Sequence, residues 1–529
     1  MTSAFTSLDF YIVLVYLAAL ACVGAVFSRR QTSADAFLVA GRRMSWLPVG
    51  LSLMAALNSG VDYLTQPSAT IQYGLVLSMG VLSWLFIYPW VATVVFPFYK
   101  RLNFYSVYEY LETRFDVRVR TLAAAIFIAW RLGWMATALY VPCLAIDAVT
   151  GSAVDLTIVI AVLGALVTLY TMLGGIQAVI WNDVMQFCVM FGGLGATVVI
   201  VASSVPGGLP EIWQVSQQAG KTAVWVPLTD GSAQGVWSWI AAFFHQPMNI
   251  PALFFALVVG RMAQYTSDQV MVLRLQTTRT LADTRRAFIV NAAGDALWMI
   301  GLSFVGLALF AYFQHNPPPT ALASDRMLPY FMSRAFPPGA VGLVIAAILA
   351  ASLSSIDSAI HSCSSVLIVD VYNRLVLAAP ASPVQGSEAS RHQVRALRLA
   401  TVAVGAAGTT LACNVAGIGT LLEIGNKVIN SFSGPLFGIF LLAMFVPRAS
   451  GLAALIGGAA GAATSYYVAY ESSLGFLWPS TFGLAATLIV GGTLAVAAPG
   501  AGRSQLTWRN VMQRDATEAQ RHRETLDLE

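Results

Sequence analysis

Long apolar stretches recur along the whole chain, separated by short polar or charged connections. A helix needs about 20 apolar residues to cross a bilayer, whereas a membrane barrel strand is about half as long and alternates apolar with polar residues. The stretches are of the helical kind, so the pattern predicts an all-α integral membrane protein. The predicted spans number thirteen, at 9–28, 43–73, 78–98, 120–148, 153–174, 180–204, 236–265, 286–313, 338–372, 396–415, 418–446, 450–470 and 478–498.

Composition narrows the class. Of the 529 residues, 57% are hydrophobic and 10% are charged, and the mean hydropathy is +0.71, which excludes a water-soluble globular domain. The connections are too short for a catalytic domain and show no paired nucleophile and base, so we do not expect an enzyme. The five cysteines show no CxxC spacing, which argues against a disulfide framework or a zinc site. The net charge of +4 follows from membrane topology and does not indicate a nucleic-acid partner.

Lysine and arginine concentrate in alternate connections, as they do on the cytoplasmic side of membrane proteins. The basic connections are 29–43, 100–120, 274–286 and 374–395, whereas the others hold only Lys221, Arg326 and Arg334. This asymmetry predicts a multi-pass protein of the plasma membrane with its N-terminus outside and its C-terminus in the cytoplasm. Basic residues follow the first apolar run instead of preceding it, which favours a retained helix over a cleaved signal peptide.

Polar residues interrupt two of the predicted spans, with SLMAALNSGVDYLTQPSA in the second and GRMAQYTSDQVMVLR in the seventh. Secondary transporters place broken helices at the start of two repeats that lie inverted in the membrane; a simple kink is the alternative for each helix. The repeat interpretation divides the chain into an outside segment with the first helix (1–35), a first five-helix repeat (36–204), an outside loop (205–235), a second repeat (236–447), two peripheral helices (448–500) and a cytoplasmic tail (501–529).

The stretch ASLSSIDSAIHSCSS, at 351–365, carries unusual polarity for a predicted span, with seven serines, Asp357 and His361. On a helix, residues three or four apart share a face, and serine side chains loosen the carbonyls of the preceding turn. Such neutral oxygens suit a hard cation that must also leave again. Close packing of small residues is the alternative, but it does not account for Asp357. His361 is either a proton site or a hydrogen-bonded structural residue.

Several charged residues fall within or close to predicted spans, where a charge is costly and marks a functional site or a structural ion pair. Asp62, Arg131, Asp357 and Lys427 are the deepest of them. The others are Asp183, Arg261, Asp268, Asp295 and Glu423.

The residues from about 37 to 448 resemble the sodium:solute symporter family. The resemblance rests on seven segments in the family's order, FLVAGRRMSWLPVGLSLMAALNSG, YSVYEYLETRF, LYVPCLAIDAVTG, YTMLGGIQAVIWNDVMQ, SDQVMVLR, ASLSSIDSAIHS and SGPLFGIFLLAMF. The middle segments are most similar to the branch that carries iodide, biotin-like vitamins and small monocarboxylates. The resemblance implies the inverted five-helix repeat fold shared with the leucine transporter, and sodium as the coupling ion.

The resemblance also implies positions for the ligands. A first sodium would be held by the carbonyls of Ala55, Asn58 and Ala351 and the hydroxyls of Ser354 and Ser355. A possible second sodium would use Asp183, Gln186, Asp357 and Ser358; because Asp357 replaces a hydroxyl of the family, a tighter sodium site and a shared proton both remain open. The candidate solute residues are Ser59, Asp62, Arg131, Trp134, Gln269 and Lys427.

Together these features predict a sodium-driven symporter that imports a small organic anion or zwitterion by alternating access. Its partners would be the solute, sodium and the lipid bilayer, and the sequence indicates no particular protein partner. A neutral hexose is less expected, because LVLSMGVLSW, at 75–84, lacks the glutamate of sugar carriers. A proton-coupled carrier is the main alternative, motivated by Asp357 and His361. A transporter-like membrane sensor is less favoured, because the tail carries no catalytic motif.

Overall fold

The structure is a computed structural model that describes residues 5–28, 34–102, 104–151, 154–225, 235–246, 248–318, 322–377, 387–415, 421–498, 500 and 504–513. Within these ranges, side chains are described at all positions except 28, 34, 35, 148, 387–391 and 421–430. Apart from one isolated bridge between Met44 and Thr278, the regular elements of the described residues are helices.

Twenty α-helices follow one another along the described chain. They are α1 (Ser7–Ser28), α2 (Ala34–Val39), α3 (Trp46–Leu57), α4 (Gly60–Tyr73), α5 (Trp84–Pro89), α6 (Phe96–Leu102), α7 (Val107–Arg114), α8 (Val117–Thr150), α9 (Leu156–Ser203), α10 (Gly208–Gln218), α11 (Val236–His245), α12 (Ile250–Ser267), α13 (Gln269–Gln276), α14 (Leu281–His315), α15 (Ser324–Ala335), α16 (Ala340–Val366), α17 (Ser387–Ala412), α18 (Leu421–Phe445), α19 (Gly451–Tyr466) and α20 (Pro479–Ala497).

Both polar interruptions predicted from the sequence are breaks in the helices. Asn58 and Ser59 have extended backbones between α3 and α4, and Asp268 alone is extended between α12 and α13. Each break is followed at once by a capped helix start: Ser59 and Asp62 form a capping box on α4, and the Asp268 carboxylate accepts from Val270 N at 2.9 Å. Side chains that satisfy the first N–H groups of a new helix make such a restart stable inside the protein.

The count of thirteen spans stays a prediction. Among the described residues, eight helices are long and apolar enough to cross a membrane, or nine when the bent pair α11 and α12 is taken as one span. The differences have local causes: α9 contains two predicted spans joined at Gly175, where φ is 58°, and the second predicted span is divided into α3 and α4.

Helix α16 forms the centre of the protein and carries the polar stretch found in the sequence. Every residue from Val344 to Val366 is buried, and the helix packs against α9, α8, α1 and α17. Gly60, the first residue of α4, permits a close approach on another side, because a Cβ there would lie 2.2 Å from Ser352 Oγ. The serines and Asp357 of α16 therefore face other helices instead of lipid.

Three arginines of the basic connections predicted from the sequence are buried among the helices. Arg114, Arg120 and Arg274 are each 0% exposed. Their charges are used inside the protein: Arg114, for example, donates to Val446 O at 2.9 Å and Pro447 O at 3.1 Å, at the end of α18. An arginine can close such a helix end because it presents several N–H donors to carbonyls that lack helical partners.

An ion-pair network joins α7, α8 and the end of the ninth predicted span. Arg120 Nε lies 2.7 Å from Asp370 Oδ1 and Arg120 Nη1 lies 2.6 Å from Glu112 Oε2, while Arg374 also pairs with Glu112. Glu109, in the same connection, accepts from Ser106 N at 3.0 Å and is only 3% exposed. Burial, with a smaller contribution from the negative charge of Asp370, raises the pKa of the Glu109 carboxyl to about 8.

This raised pKa predicts a pH-dependent loss of stability. A carboxyl with a higher pKa in the folded state stabilises the fold fully below its unfolded pKa, and that contribution is lost as pH rises through the folded value. The thermal unfolding temperature should therefore decrease as pH rises from about 5 to about 9. This part of the pH dependence should be absent in Glu109→Gln, whose amide oxygen still accepts from Ser106 N. Equal slopes in both proteins would contradict the assignment.

Candidate functional site

The hydroxyls of α16 meet the carbonyls released by the break after α3. Ser354 Oγ donates to Ala55 O at 2.8 Å and to Ala351 O at 2.9 Å. Ser355 Oγ lies 3.3 Å from both Ala56 O and Asn58 O. Both serines are buried.

The carbonyls are available because the chain leaves the helix at Asn58. In a continuous helix Ser59 N would donate to Ala55 O, but here it donates to Asp62 Oδ2 at 2.7 Å. The last turn of α3 thus keeps carbonyl oxygens without helical donors. The resulting set of oxygens is neutral and hard, and it fits a sodium ion in chemical type. The carbonyl of Ala56 belongs to this set but was not among the residues expected from the sequence, which gives no local signal for it.

Asp183, expected at a second sodium site, is engaged by an arginine. Arg274 Nη2 lies 2.9 Å from Asp183 Oδ2, Arg274 Nε donates to Ser52 Oγ at 2.8 Å, and Arg274 also donates to Ser358. The amide of Gln186 lies 3.2 Å from Asp183 Oδ1, in the orientation that places its nitrogen there. The structure therefore brings three of the expected residues together around the guanidinium of Arg274.

Asp357 is next to this cluster and is 0% exposed. It accepts a hydrogen bond from Tyr170 OH at 3.2 Å and one from Ser358 Oγ at 3.2 Å. Of the cationic side chains that the structure describes, none forms an ion pair with Asp357. One turn further along, His361 packs on Phe37 with ring centroids 5.2 Å apart, and among the described residues neither of its ring nitrogens has a hydrogen-bond partner.

A cavity of about 180 Å³ lies beside the broken helix α3/α4. Asp62 and Trp134, two of the expected solute residues, line it, and so does Asn58 from the cation cluster. Its wall also includes Arg261 and Asp295, whose Nη2 and Oδ2 atoms lie 2.7 Å apart. The sequence placed both residues within spans but gave no signal that they would meet at the cavity, because they lie on different helices.

The other expected solute residues make contacts elsewhere. Arg131 pairs with Asp268 at the α12/α13 break, and Gln269 Nε2 donates to Tyr105 O at 2.9 Å in the connection before α7. Ser59 accepts from Val61 N at 3.1 Å as the cap of α4. The side chain of Lys427 lies outside the described residues.

Comparison with known proteins agrees with this geometry. The sequence profile of the sodium:solute symporter family matches residues 37–461. The chain is 31% identical to the sodium/sialic acid symporter NanT of Aliivibrio fischeri, over 92% of this chain and 93% of that protein. It is also 31% identical to the human sodium-coupled monocarboxylate transporter 1, over 83% of this chain and 68% of that protein.

Solved structures show the same relationship. The substrate-bound outward-open state of a Na⁺-coupled sialic acid symporter matches with a TM-score of 0.82 and 30% identity, over 94% of this chain and 99% of that one. A nucleobase-cation-symport-1 family transporter matches with a TM-score of 0.55 at 13% identity, over 90% of this chain and 98% of that one, which concerns the fold alone.

The chain belongs to the sodium:solute symporter family. Membership confirms the family expected from the sequence, the all-α fold shared with such carriers, and sodium-coupled symport as the class of function. It also confirms a multi-pass membrane protein.

The cation cluster predicts a specific defect. The double variant Ser354→Ala/Ser355→Ala removes both hydroxyl ligands, and if their loss costs about 2 kcal/mol in total, sodium should bind on the order of 30-fold more weakly. Sodium-dependent thermal stabilisation of the purified protein, with potassium as reference, measures the change. Ser364→Ala is the matched control, because Ser364 donates to Ile360 O at 2.8 Å and accepts from Thr401 Oγ1 at 3.2 Å, and neither partner belongs to the oxygen cluster. Unchanged sodium affinity in the double variant would refute the site.

Proposed function

We propose that this protein is a sodium-coupled symporter that imports a small organic anion or zwitterion by alternating access. The observation that carries the proposal is the cluster of carbonyl and hydroxyl oxygens between the end of α3 and α16. The relatives named above, which are symporters of sialic acid and monocarboxylate transporters, support an organic acid as one part of the solute. A carrier is favoured over an enzyme because the buried polar side chains form ligand shells and ion pairs.

Coupling follows from the shared break in the helix. Asn58 contributes its carbonyl to the cation cluster and also lines the cavity, and Asp62 caps α4 four residues later while facing the same cavity. Sodium bound to the released carbonyls would fix this segment and thereby complete the solute site. Because ion and solute then favour one conformation, each raises the affinity of the protein for the other.

Contacts around α13 cover the break at Asp268, which follows the stretch of α12 that lines the cavity (253–264). Tyr108 OH donates to Ser267 O at 3.0 Å, Gln269 holds Tyr105, and Arg131 pairs with Asp268. The cavity is also lined by Phe476, in the connection between the last two predicted spans, and by Met248, in the first half of the seventh predicted span. Alternation from an outside N-terminus directs both residues toward the outside. We therefore assign the conformation as outward-facing. We also propose, from the sequence, that the N-terminus lies outside and the C-terminus in the cytoplasm, and that the two repeats at 36–204 and 236–447 lie in the plasma membrane.

The second cluster, formed by Asp183, Gln186, Arg274, Asp357 and Ser358, has an excess of negative charge. This excess supports the binding of a further cation. Asp183 and Asp357 contribute two carboxylates, whereas Arg274 contributes one guanidinium that contacts Asp183. An unpaired charge buried in a membrane protein is costly, so we propose that a second sodium binds beside Asp357 and Ser358. A proton is the second candidate, because the observed partners of Asp357 are hydroxyl groups, which also suit a neutral carboxyl.

The number of ions sets the driving force. One charge moving through roughly 100 mV yields about 2.3 kcal/mol, and a tenfold sodium gradient adds about 1.4 kcal/mol. One sodium thus supports roughly a 500-fold gradient of a neutral or zwitterionic solute, and two support on the order of 10⁵-fold.

Uptake in proteoliposomes tests the proposal and the ion count together. We expect the solute to accumulate only under an inward sodium gradient. The reversal potential gives the number of cations per solute, which we expect to be two. Asp357→Asn retains the shape of the side chain but removes its charge, so the ratio should fall by one. A pH gradient that replaces part of the sodium gradient would assign the second cation as a proton. Sodium-independent uptake would overturn the proposed function, and an unchanged ratio in Asp357→Asn would overturn the second site.

A further inference from the structure

The described wall of the central cavity carries three charged side chains, Asp62, Arg261 and Asp295. Arg261 and Asp295 are paired, whereas Asp62 forms no ion pair with any cationic side chain that the structure describes. The described wall therefore has a guanidinium in a fixed position and an excess negative charge at a separate position. A solute with both a positive and a negative group matches this arrangement.

Arg261 is held rigidly at the cavity. Its Cζ lies 4.5 Å from the centroid of the Trp84 ring, and Asp295 Oδ2, its ion-pair partner, also accepts from Trp84 Nε1 at 2.7 Å. Toward the described residues its hydrogen bonds are made by Nη1 and Nη2, which leaves the Nε–H for a ligand. A guanidinium with a fixed plane and donors to spare binds a carboxylate well.

Asp62 is oriented by a backbone hydrogen bond instead of an ion pair. Its Oδ2 accepts from Ser59 N at 2.7 Å, so the carboxylate is oriented by the start of α4, where the helix dipole stabilises a negative charge. A carboxylate has about four acceptor positions, so this bond leaves most of them for a ligand. Trp134 and Trp298 line the same cavity, and indole faces attract organic cations. Carboxylate and aromatic rings together form a site for a cationic nitrogen.

Arg131 does not supply the opposite charge to this wall. It is paired with Asp268 and stacks on Trp130, with its Cζ 4.8 Å from the ring centroid. The cavity lining does not include it. A simple organic anion would therefore meet an excess carboxylate, with Arg261 as the cation on the described wall.

We infer that the solute is a zwitterion, with a cationic nitrogen bound by Asp62 between aromatic side chains and a carboxylate bound by Arg261. This inference rests on the proposed function and narrows its solute class to amino acids. The relatives named above carry acids, so the carboxylate end of the solute is the shared part and the nitrogen is the part specific to this cavity.

Matched compounds test the inference directly. Each set contains an amino acid, the acid that lacks its nitrogen charge and the amine that lacks its carboxylate: leucine, isocaproate and isoamylamine; proline, cyclopentanecarboxylate and pyrrolidine; phenylalanine, hydrocinnamate and phenethylamine. Thermal shift and calorimetry on the purified protein, in sodium and in potassium, give their affinities. In sodium, at least one amino acid should bind tenfold or more tightly than both of its partners.

Two variants separate the ends of the solute. Asp62→Asn keeps an oxygen for the Ser59 cap and removes the charge, so it should lower the affinity of the amino acid tenfold or more and leave that of its matched acid unchanged. The double variant Arg261→Gln/Asp295→Asn removes the ion pair without leaving a lone charge. It should weaken the binding of amino acids but not the binding of their matched amines. Asp155→Asn is the control, because Asp155 also caps a helix, accepting from Thr157 N at 2.7 Å, but does not line the cavity.

The outcomes distinguish the inference from the proposed function. The zwitterion inference would be overturned by any of three results. These are equal or tighter binding of the matched acids, no binding of any amino acid, and an unchanged preference of Asp62→Asn for the amino acid over its matched acid. Stabilisation by sodium without solute is a separate measurement on the same samples. If sodium alone does not stabilise the wild type, the result counts against the proposed function. If sodium stabilises it and the matched acids bind more tightly than the amino acids, the result overturns the inference alone.

Discussion

The interaction on which the rest of the site depends is the hydrogen bond from Ser59 N to Asp62 Oδ2, 2.7 Å long. It replaces the bond that a continuous helix would make to Ala55 O, and it therefore ends α3 and begins α4 inside the protein. The freed carbonyls face Ser354 and Ser355 of α16, and the capping carboxylate faces the cavity. One local rearrangement of the backbone thus builds the oxygen cluster and one wall of the cavity that we propose as the solute site.

Charge inside the membrane is the second constraint. A charged side chain at the bilayer centre costs about 2.5 to 3.5 kcal/mol on insertion scales, and the structure offsets this cost by pairing. Arg274 lies with Asp183, Arg131 with Asp268, and Arg261 with Asp295. Among the charged side chains that the structure describes as buried within the predicted spans or as lining the cavity, Asp9, Asp62 and Asp357 have no ion-pair partner. Asp9 accepts from Gly339 N and Gly342 N, whereas Asp62 lines the cavity and Asp357 lies beside the cluster around Arg274. Because no cationic side chain that the structure describes pairs with them, Asp62 and Asp357 are candidates for binding a cationic group from outside the protein.

The two broken helices have different surroundings in this conformation. The break at Asn58 borders the cavity, whereas the break at Asp268 is covered by Arg131, Tyr108 and the connection before α7. Opening the other side of the protein requires that these covering contacts separate. The ion pairs of Arg120 with Asp370 and Glu112 join α7 and α8 to residues 367–376, the helical continuation of α16. They therefore tie α7 to the helix that carries the serines of the oxygen cluster.

The class of the protein could be predicted from the amino-acid sequence. Apolar length and the near absence of charge in the spans are properties of the chain alone, so they predicted membrane helices, and the polar interruptions predicted both breaks because helix-capping residues act over a few positions. The serines of α16 were found in the same way, since helical spacing places them on one face. Which charged side chains pair with one another depends on how the helices pack. Arg274 with Asp183, and Arg261 with Asp295, are 91 and 34 residues apart, and no local pattern relates them. The added carbonyl of Ala56 and the contacts of Arg131 and Gln269 outside the cavity depend on how separate helices pack, because hydrogen-bond partners across a helix interface are set by distance and orientation in space.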